Sequence, residues 1–540
     1  MAALHQTGTW QLVPPHPSQN VVGCKWVFRT KQRADGTIER HKARLVAKGF
    51  HQQAGLDYQE TFSPVATSTT IRVLLSLAVQ HDWPISQLDV SNAFLHGHLH
   101  EDVFMTQPHG FEDKARPHYV CKLQKSLYGL KQAPRAWYEE LHQCLLSLGF
   151  IASSADPSLF VKSDGCLTYL LVYVDDIILT GNSPSYCTHL INQLSQQFSM
   201  KDLGPLHFFL GLEVTCNFDC LYLSQAKYTH DLLSKHNMLD AKPTSTPKSN
   251  VKLDTVTGHP LTDPSTYRSM VGALQYLTWT RPDISHVVNQ VCQHMHSPRA
   301  PHLVAVKRIF CYLKGTPDLG IKFTKGPFLL TIFTDADWAG CPIDRRSTSG
   351  HCIFLGNNLI TWRSKKQSSV SRSSTEAEYR ALANAVAEVL WLCYLFRDLH
   401  IFLPHAPLFH CDNISAIALA ANPILHHRTK HIDTDFHFIR EPVANKSIRL
   451  SHVSSTLNLA DVFTKSLSKQ QFYLLISKLI SRILFISLRG DNNTMINLYH
   501  MTNDVDAYKE HNPQHTANNT NQKVQACLSF TYAKNVDKKV

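Results

Sequence analysis

Apolar and polar residues alternate at strand spacing over much of the first half of the chain. Between Lys25 and about Gly211, short alternating runs are mixed with runs at helical spacing, which is typical of an α+β unit. Around Asp240 to Ser265 the residues turn to Pro, Thr, Ser, Lys and Gly, as in Lys242-Pro-Thr-Ser-Thr-Pro247. Because such residues interrupt periodic structure, the pattern predicts a domain boundary there.

A helical segment follows, and strand patterns then return. Apolar residues recur at helical spacing from Tyr267 to Lys314, and Arg281-Pro282-Asp283 predicts a helix break with a new helix start. From Phe328, strand patterns lead to a long helix beginning near Thr375, a strand at Leu408 to Cys411 and further helices. These runs predict a second unit of the α/β kind.

The composition is that of a globular protein, with 43% hydrophobic and 18% charged residues. A chain of 540 residues is too long for one ordinary hydrophobic core. A formal net charge of +11 favours a polyanionic partner, although many basic proteins bind no nucleic acid. The 14 cysteines occur singly, without a Cys-x-x-Cys pair, which argues against a disulfide scaffold and structural zinc. Residues 1–15 lack the pattern of a secretory signal, so we expect an intracellular protein.

The last part of the chain contains one apolar run and an irregular tail. The run from Phe472 to Leu488 is shorter than a membrane-spanning helix needs. It carries Lys478 and Arg482 at helical spacing, which predicts an amphipathic surface helix and no membrane contact. Beyond about Leu488 the periodicity is lost, so we expect residues 481–540 to form an irregular tail.

Paired carboxylates lie between two apolar strand arms in Leu170-Leu-Val-Tyr-Val-Asp-Asp-Ile-Ile-Leu179. The arms predict a hairpin with Asp175 and Asp176 at its turn. Since acidic hairpin turns are common, this pair alone favours an ordinary solvated turn. A divalent cation that neutralises the two adjacent charges is the alternative, and oxygen ligands suit magnesium.

A second acidic position changes that balance. In Ile85-Ser-Gln-Leu-Asp-Val-Ser-Asn-Ala-Phe94, strand alternation buries Leu88 and Val90 and turns Asp89 to the opposite face. There Asp89 could join the two hairpin aspartates. Three carboxylates would then be available to hold two metal ions.

These segments resemble a known family. Tyr173-Val-Asp-Asp176 resembles the catalytic box of reverse transcriptases, and Gln87-Leu-Asp-Val-Ser-Asn-Ala-Phe-Leu-His-Gly97 is similar to the copia-type form of the first catalytic strand. Three further segments resemble copia-type sequence in the family's order: Lys25-Trp-Val-Phe28, Lys42-Ala-Arg-Leu-Val-Ala-Lys-Gly-Phe50 and Ser126-Leu-Tyr-Gly-Leu-Lys-Gln-Ala-Pro-Arg-Ala-Trp137. The resemblance, over about residues 9 to 470, is to the reverse transcriptase and ribonuclease H portion of copia-type LTR-retrotransposon Pol polyproteins. We therefore expect the chain to be part of a longer polyprotein.

The resemblance implies roles for the three aspartates. Asp89 and Asp175 would be the main metal ligands, and Asp176 would be the third acidic residue of the polymerase site. Two Mg²⁺ ions would be held at this site, with Mn²⁺ as a possible substitute. Such a pair of ions activates the primer hydroxyl and neutralises the triphosphate, so the protein contributes mainly positioning.

Four further residues are candidates for substrate binding. By the resemblance, Phe94 would lie under the sugar of the incoming nucleotide and exclude a 2′-hydroxyl, while simple core packing is the alternative. Lys42 and Arg44 lie where the family grips triphosphate, and Arg suits bidentate phosphate contacts; a solvated basic strand is their alternative. Lys131 is a similar candidate for contact with template or nucleotide.

Four segments near the C-terminus resemble retrotransposon ribonuclease H. They are the strand Leu329-Leu-Thr-Ile-Phe-Thr-Asp-Ala-Asp-Trp-Ala-Gly340, the helix start Ser373-Ser-Thr-Glu-Ala-Glu-Tyr379, the strand end His410-Cys-Asp-Asn413 and the closing segment Asn458-Leu-Ala-Asp-Val-Phe-Thr-Lys-Ser-Leu467. Carried over by position, the metal-binding and catalytic carboxylates of this site are Asp335, Glu378, Asp412 and Asp461. They would hold two Mg²⁺ ions around one RNA phosphate.

Three positions in these segments have alternatives. Glu376 and Glu378 each follow a hydroxyl residue by three positions and could complete a capping box, and we favour Glu378 for the Tyr-Arg-Ala-Leu-Ala run that follows it. Asp337 ranks second to Asp335, with a solvated strand end as its alternative. His452 could assist product release, but we expect a surface histidine.

The resemblance implies an α+β multidomain fold, in which a right-hand polymerase of fingers, palm and thumb precedes a ribonuclease H-like α/β domain. We expect fingers and palm at 9–240, a helical thumb or connection at 241–325 and the ribonuclease H-like domain at 326–480. The implied partners are an RNA template, a DNA primer, the RNA–DNA hybrid and deoxynucleoside triphosphates, in cytoplasmic virus-like particles or the nucleus. The competing hypothesis is an inactive, truncated or domesticated remnant that only binds nucleic acid.

Overall fold

Strands and helices follow the order that the hydrophobic pattern predicts. The structure is a computed structural model that describes residues 1–32, 37–217, 219–249, 251, 253–421 and 433–482. The strands are β1 (Trp10–Val13), β2 (Val21–Val22), β3 (Cys24–Gln32), β4 (Ile38–Ala47), β5 (Ile85–Val90), β6 (His98–Met105), β7 (Val120–Lys125), β8 (Ile151–Ala152), β9 (Leu159–Lys162), β10 (Thr168–Tyr173), β11 (Asp176–Gly181), β12 (Met200–Pro205), β13 (Phe208–Phe209), β14 (Leu212–Asn217), β15 (Cys220–Ser224), β16 (Leu319–Thr324), β17 (Leu330–Ala336), β18 (Thr348–Leu355), β19 (Asn358–Lys366), β20 (Leu408–Cys411), β21 (Arg449–His452) and β22 (Ser481–Arg482).

The helices confirm the predicted helical middle segment and the long helix near Thr375. They are α1 (Ala2–Gln6), α2 (Ser68–His81), α3 (Ala133–Ser147), α4 (Pro184–Gln197), α5 (Ala226–Lys235), α6 (Pro264–Leu277), α7 (Ser285–Cys292), α8 (Ala300–Gly315), α9 (Ser374–Asp398), α10 (Ile414–Ala421), α11 (Asp433–Ala444), α12 (Asp461–Thr464) and α13 (Lys469–Ile476). The predicted break at Arg281-Pro282-Asp283 is a short 3-10 helix, Pro282–Ile284. Within the described residues no helix is long and apolar enough to cross a membrane.

A six-stranded sheet with the order β12-β5-β11-β10-β9-β8 positions the first group of acidic residues. Alternation along β5 buries Leu88 and Val90 and leaves Asp89 half-buried, as the sequence predicts. Along β10, Leu170 and Val172 pack into one hydrophobic cluster with residues of α3 and α4. The neighbouring positions Tyr169 and Leu171 pack into a second cluster, so both faces of the sheet are covered.

A five-stranded mixed sheet with the order β19-β18-β17-β20-β21 positions the second group. Strands β17, β20 and β21 run parallel, while β18 and β19 are antiparallel to their neighbours. Helix α9 packs on β17 and β18 and begins after Ser373, whose hydroxyl accepts the backbone N–H of Glu376. Because an N-cap serine fixes where the helix starts, it also fixes the turn on which each following glutamate lies.

The two sheets are joined through one hydrophobic cluster that extends from Ala66 to Ile480. At its centre the Arg72 side chain of α2 is buried, and its guanidinium donates to the carbonyls of Ile360 and Trp279, both at 2.9 Å. The same group stacks on the Trp362 ring at 3.9 Å from its centroid. The described residues all belong to one compact unit, and the predicted division at residues 240 and 325 stays a prediction.

The C-terminal apolar run differs from its prediction. The helix predicted from Phe472 to Leu488 ends at Ile476, and Ser481–Arg482 pair with β16 as a short strand. Arg482 therefore does not share a helical face with Lys478. The remainder of the run and the predicted irregular tail, except residues 481 and 482, lie outside the described residues.

Replacing Arg72 by Ala is expected to destabilise the chain. The change removes the donor from one buried and one partly buried carbonyl and also removes a stacked side chain, which should cost about 2 to 4 kcal/mol and lower the midpoint of thermal unfolding by several degrees. Scanning calorimetry measures the midpoint. Arg40→Ala, at an exposed position, is the matched control and should change it little. Equal midpoints for the two variants would contradict a stabilising role of Arg72.

Candidate functional site

The predicted hairpin is present, but its turn lies one residue earlier than predicted, because Asp175 is in the turn whereas Asp176 is already the first residue of β11. Strands β10 and β11 form a hairpin in which Tyr173 pairs with Asp176, so Val174 and Asp175 make the turn. Strand β11 also pairs with β5, and Asp176 lies directly opposite Asp89 in that register. We call Asp89, Asp175 and Asp176 the first acidic site.

The turn is strained and is held by two hydrogen bonds. Val174 has a φ of 56°, in the left-handed region that a β-branched residue rarely adopts. The indole N–H of buried Trp137 donates to the Val174 carbonyl at 2.7 Å, and the Val90 N–H donates to the Asp175 carbonyl at 2.9 Å. Such strain costs about 1 to 3 kcal/mol and persists only where surrounding contacts impose it. Here those contacts fix the position of Asp175.

The three charges act on one another. Burial, together with the charges of Asp175 and Asp89, raises the pKa of Asp176 to about 6. A divalent cation among the three would reverse this effect, since it stabilises the ionised form. The carboxylates of Asp89, Asp175 and Asp176 are oxygen donors of the kind that magnesium prefers, so the chemistry of this donor set suits that ion.

An aromatic pair and an arginine lie beside the first acidic site. The Phe94 ring packs edge-on against Tyr128 with 4.9 Å between centroids, and the Arg44 guanidinium lies over the Tyr128 ring at 5.4 Å. The pKa of Tyr128 is raised, mainly by burial and further by the charges of Asp175 and Asp89. The nearby charge of Arg44 acts in the opposite direction. Tyr128 was missed as a candidate, although it lies within the segment Ser126–Trp137 whose pattern was recognised.

The two predicted lysines are placed differently. Lys42 lies on β4 opposite Arg29 in the two-stranded sheet of β3 and β4. The Lys131 ammonium donates to the Tyr58 hydroxyl at 3.0 Å and to the Gln52 carbonyl at 3.4 Å. The described contacts of Lys131 are thus with the loop at residues 52–58, and a role in substrate binding stays a prediction for both lysines.

Parallel strands bring the second group of carboxylates together. Asp335 lies near the end of β17, and Asp412 follows the end of β20, its parallel neighbour. Glu378, on the second turn of α9, accepts the Ala336 N–H at 3.1 Å. Asp461 is the first residue of α12. We call Asp335, Glu378, Asp412 and Asp461 the second acidic site.

A glycine lets α12 approach the sheet. Gly350 pairs with Asp335 across β17 and β18, and a Cβ at Gly350 would lie 2.6 Å from the Thr464 side chain and 2.8 Å from that of Phe463. The missing side chain therefore allows α12 to lie against the sheet and carry Asp461 to Asp335. Oxygens of Asp335, Asp412 and Asp461 lie within 4.8 Å of one another.

Burial and repulsion strongly perturb the second acidic site. Burial and the charges of Asp335 and Asp412 raise the pKa of Glu378 to about 10. Burial and the charge of Asp335 raise the pKa of Asp461 to about 7. Burial also raises the pKa of the adjacent Cys411 thiol to about 12, so without a metal ion the sulfur stays protonated, and the other groups of the site are oxygen donors. This donor set fits magnesium.

The alternatives left open by the sequence have distinct surroundings. Glu376 forms an ion pair with Arg380 at 2.8 Å and accepts the Arg372 N–H at 2.9 Å, one residue before the N-cap Ser373, so it contributes to the helix start without closing a full capping box. It is Glu378 that lies beside Asp335. The Asp337 carboxylate accepts the Thr348 N–H, and burial raises its pKa to about 6. His452 is exposed at the end of β21, in register with Cys411.

Sequence comparison shows which known proteins the chain is similar to. The model of the reverse transcriptase (RNA-dependent DNA polymerase) family matches residues 7–250. The chain is 53% identical over 475 residues to the retrovirus-related Pol polyprotein from transposon RE1 of Arabidopsis thaliana, covering 87% of this chain and 32% of that protein. It thus spans about a third of that relative's length.

Two further comparisons differ in coverage. A putative transposon Ty5-1 protein of Saccharomyces cerevisiae is 36% identical over 311 residues, which is 56% of this chain and 100% of that protein. A solved foamy viral protease-reverse transcriptase in complex with double-stranded DNA aligns over 86% of this chain and 70% of its own, at 11% identity and a TM-score of 0.21. That superposition is too weak to carry an argument about the fold.

Replacing Glu378 by Gln is expected to stabilise the metal-free protein at neutral and higher pH. In the unfolded chain a glutamate ionises near its ordinary pKa of 4.5, whereas Glu378 in the fold holds its proton up to about 10. Folding must therefore take up a proton, and this cost grows as pH rises from 4.5 toward 10. Glutamine never ionises, so the difference in unfolding midpoint between variant and wild type should grow over that range.

Thermal unfolding in a chelator at several pH values measures this difference. Glu376→Gln is the matched control, and it should lower the midpoint because it breaks the ion pair with Arg380. A Glu378→Gln variant that unfolds at the wild-type temperature at pH values well above 4.5 would contradict the raised pKa of Glu378.

Proposed function

Because the chain belongs to the copia-type reverse transcriptase family of transposon Pol polyproteins, we propose that it is an RNA-directed DNA polymerase with ribonuclease H activity. The observation that carries the proposal is the register that sets Asp176 opposite Asp89, with Asp175 at the adjoining turn. A second group of four carboxylates lies on the mixed sheet of the same chain. The proposed reaction copies transposon RNA into DNA and degrades the copied RNA.

In the first acidic site, Asp89 and Asp175 are the proposed main ligands of two Mg²⁺ ions, and Asp176 completes the carboxylate set. When bound, the ions supply charge neutralisation for the primer hydroxyl and the triphosphate. The chain's own part is to position the oxygens. The strained turn at Val174 and its two hydrogen bonds support this role. A fixed turn keeps the Asp175 carboxylate in position before a metal ion binds.

Phe94, Tyr128 and Arg44 are proposed to form the pocket for the incoming deoxynucleoside triphosphate. The ring of Phe94 would exclude a 2′-hydroxyl, and Tyr128 supports that ring from the side. Arg44 offers a guanidinium over the Tyr128 ring, and such a group binds phosphate oxygens in pairs. Lys42 and Lys131 are proposed as additional contacts to triphosphate and template.

In the second acidic site, Asp335, Glu378, Asp412 and Asp461 are the proposed ligands of two further Mg²⁺ ions. The ions would supply an activated water and charge stabilisation at an RNA phosphate. The raised pKa values of Glu378 and Asp461 support the assignment, because carboxylates forced together in this way gain most from a divalent cation. The substrate proposed for this site is an RNA–DNA hybrid.

The proposed architecture is a right-hand polymerase followed by a ribonuclease H-like domain. Fingers and palm are assigned to 9–240, a helical thumb or connection to 241–325 and the ribonuclease H-like domain to 326–480. The palm is the six-stranded sheet that holds the first acidic site, and α6, α7 and α8 supply the helical segment.

Two substitutions are expected to separate the two activities. Asp175→Asn should abolish magnesium-dependent extension of a DNA primer on an RNA template and spare cleavage of RNA in a hybrid. Asp412→Asn should do the reverse, because each removes one ligand charge from one site only. Losses of about a hundredfold or more are expected, as for other groups that stabilise charge in a transition state.

Asp164→Asn is the matched control, since Asp164 is exposed between β9 and β10 in the same sheet as the first acidic site. It should retain both activities. Wild-type protein that binds the hybrid but neither extends nor cuts would favour the inactive remnant. Loss of both activities in each single variant would contradict two separate sites.

Replacing Phe94 by Val is expected to relax discrimination against ribonucleotides. The smaller side chain leaves room for a 2′-hydroxyl beside Tyr128, so the ratio of kcat/KM for deoxyribonucleotide over ribonucleotide should fall by about tenfold or more. Single-nucleotide extension with each substrate measures the ratio. Phe94→Tyr, which keeps the ring, should preserve it; an unchanged ratio in Phe94→Val would remove the assignment.

A further inference from the structure

The second acidic site contains a cation supplied by the chain itself. The ammonium of Lys465 lies 3.0 Å from Oδ1 of Asp461 and 3.3 Å from Oδ1 of Asp335. Both carboxylates are almost fully buried, while 38% of the lysine side chain is exposed. The lysine therefore reaches from the surface into the carboxylate group and forms two ion pairs there.

Local structure holds Lys465 in this position. Asp461 and Lys465 are four residues apart, and the Lys465 N–H donates to the Asp461 carbonyl at 3.2 Å as α12 ends. The hydroxyl of Thr464 donates to the other oxygen of Asp335. Close packing of Thr464 over Gly350 fixes the end of α12 against the sheet. The ion pairs are thus built into the fold and are not a chance contact of a mobile surface side chain.

The ammonium competes for oxygens that a metal would use. Magnesium binds oxygen at about 2.1 Å, and the other oxygen of Asp335 already accepts the Thr464 hydroxyl, so an ion shared by Asp335 and Asp461 competes with the ammonium for Oδ1 of Asp335. An ammonium already about 3 Å from this atom and from Oδ1 of Asp461 would then lie close to a doubly charged ion. Like charges a few ångströms apart repel by several kcal/mol near a protein surface. Binding of the ion consequently requires Lys465 to move away.

We propose that Lys465 is a built-in counterion that neutralises the second acidic site before magnesium binds and that raises the magnesium concentration needed to fill it. It is a positioning residue, because it acts on Asp335 and Asp461 and not on the RNA. Without metal, it offsets the repulsion that would otherwise push α12 off the sheet. This inference rests on the proposed function of the second acidic site as a metal site.

The test uses the full chain carrying Asp175→Asn and Asp176→Asn, so that magnesium binding at the first acidic site is weakened. The readout is the midpoint of thermal unfolding, without nucleic acid, in chelator and over a series of MgCl₂ concentrations. Lys465→Met removes the charge and keeps the length of the side chain. Lys465→Arg keeps the charge, and Lys465→Gln is a second neutral variant. Lys469→Met, at an exposed position four residues on, is the matched control.

The neutral variants should bind magnesium more tightly and be less stable without it. In Lys465→Met and Lys465→Gln the half-saturating magnesium concentration should fall roughly tenfold, while the midpoint in chelator falls by several degrees. Lys465→Arg and Lys469→Met should resemble the parent. If the parent responds to magnesium but the neutral variants have the same or a higher half-saturating magnesium concentration, Lys465 does not compete with the ion and the proposal is overturned.

A failure of the underlying metal site gives a different result. Asp335→Asn in the same background should abolish the magnesium response of the midpoint. If the parent itself shows no response and is indistinguishable from Asp335→Asn, the metal site is wrong, and the proposed ribonuclease H function falls with the inference. If the parent responds to magnesium and the neutral variants respond as the parent does, the metal site stands and Lys465 has a merely structural role.

Discussion

Repulsion between carboxylates that the fold holds close together is the constraint on which both sites depend. In the first acidic site, strand register sets Asp176 opposite Asp89, and in the second, parallel strand ends bring Asp412 beside Asp335. Burial by itself disfavours the charged form of Glu378, and the charges of Asp335 and Asp412 add to this effect, so that its pKa rises to about 10. Each site therefore needs a stiff scaffold and a compensating positive charge.

The two sites obtain their stiffness in different ways. In the first, a valine is forced into the left-handed region, and hydrogen bonds from Trp137 and Val90 hold the turn in that shape. In the second, a glycine on β18 allows a short helix to lie directly on the sheet, so that Asp461 is carried in from a distant part of the sequence. The hairpin of the first site is local in sequence although distant residues hold its turn, whereas the second site requires four separate segments to fold together.

This difference explains how much could be predicted from the sequence. Strand alternation was enough to predict the hairpin at Asp175 and the buried neighbours of Asp89, because both follow from a period of two. The choice between Glu376 and Glu378 needed the packing of α9, and the ion pairs of Lys465 needed the docking of α12; neither is encoded in local periodicity. The apolar run at Phe472 was wrongly extended as a helix, since a short apolar run fits a strand equally well.

The hydrophobic cluster shared by the two sheets, with Arg72 at its centre, has a consequence for how copies of such a gene decay. A random substitution that loosens this common core lowers the folded fraction of the whole unit, so the two proposed activities would be lost in the same step. Changes at the carboxylates of one site, which lie outside this core, can remove one activity and leave the other. Degenerate copies that retain a single function should accordingly carry their lesions at these few acidic positions and keep the core intact.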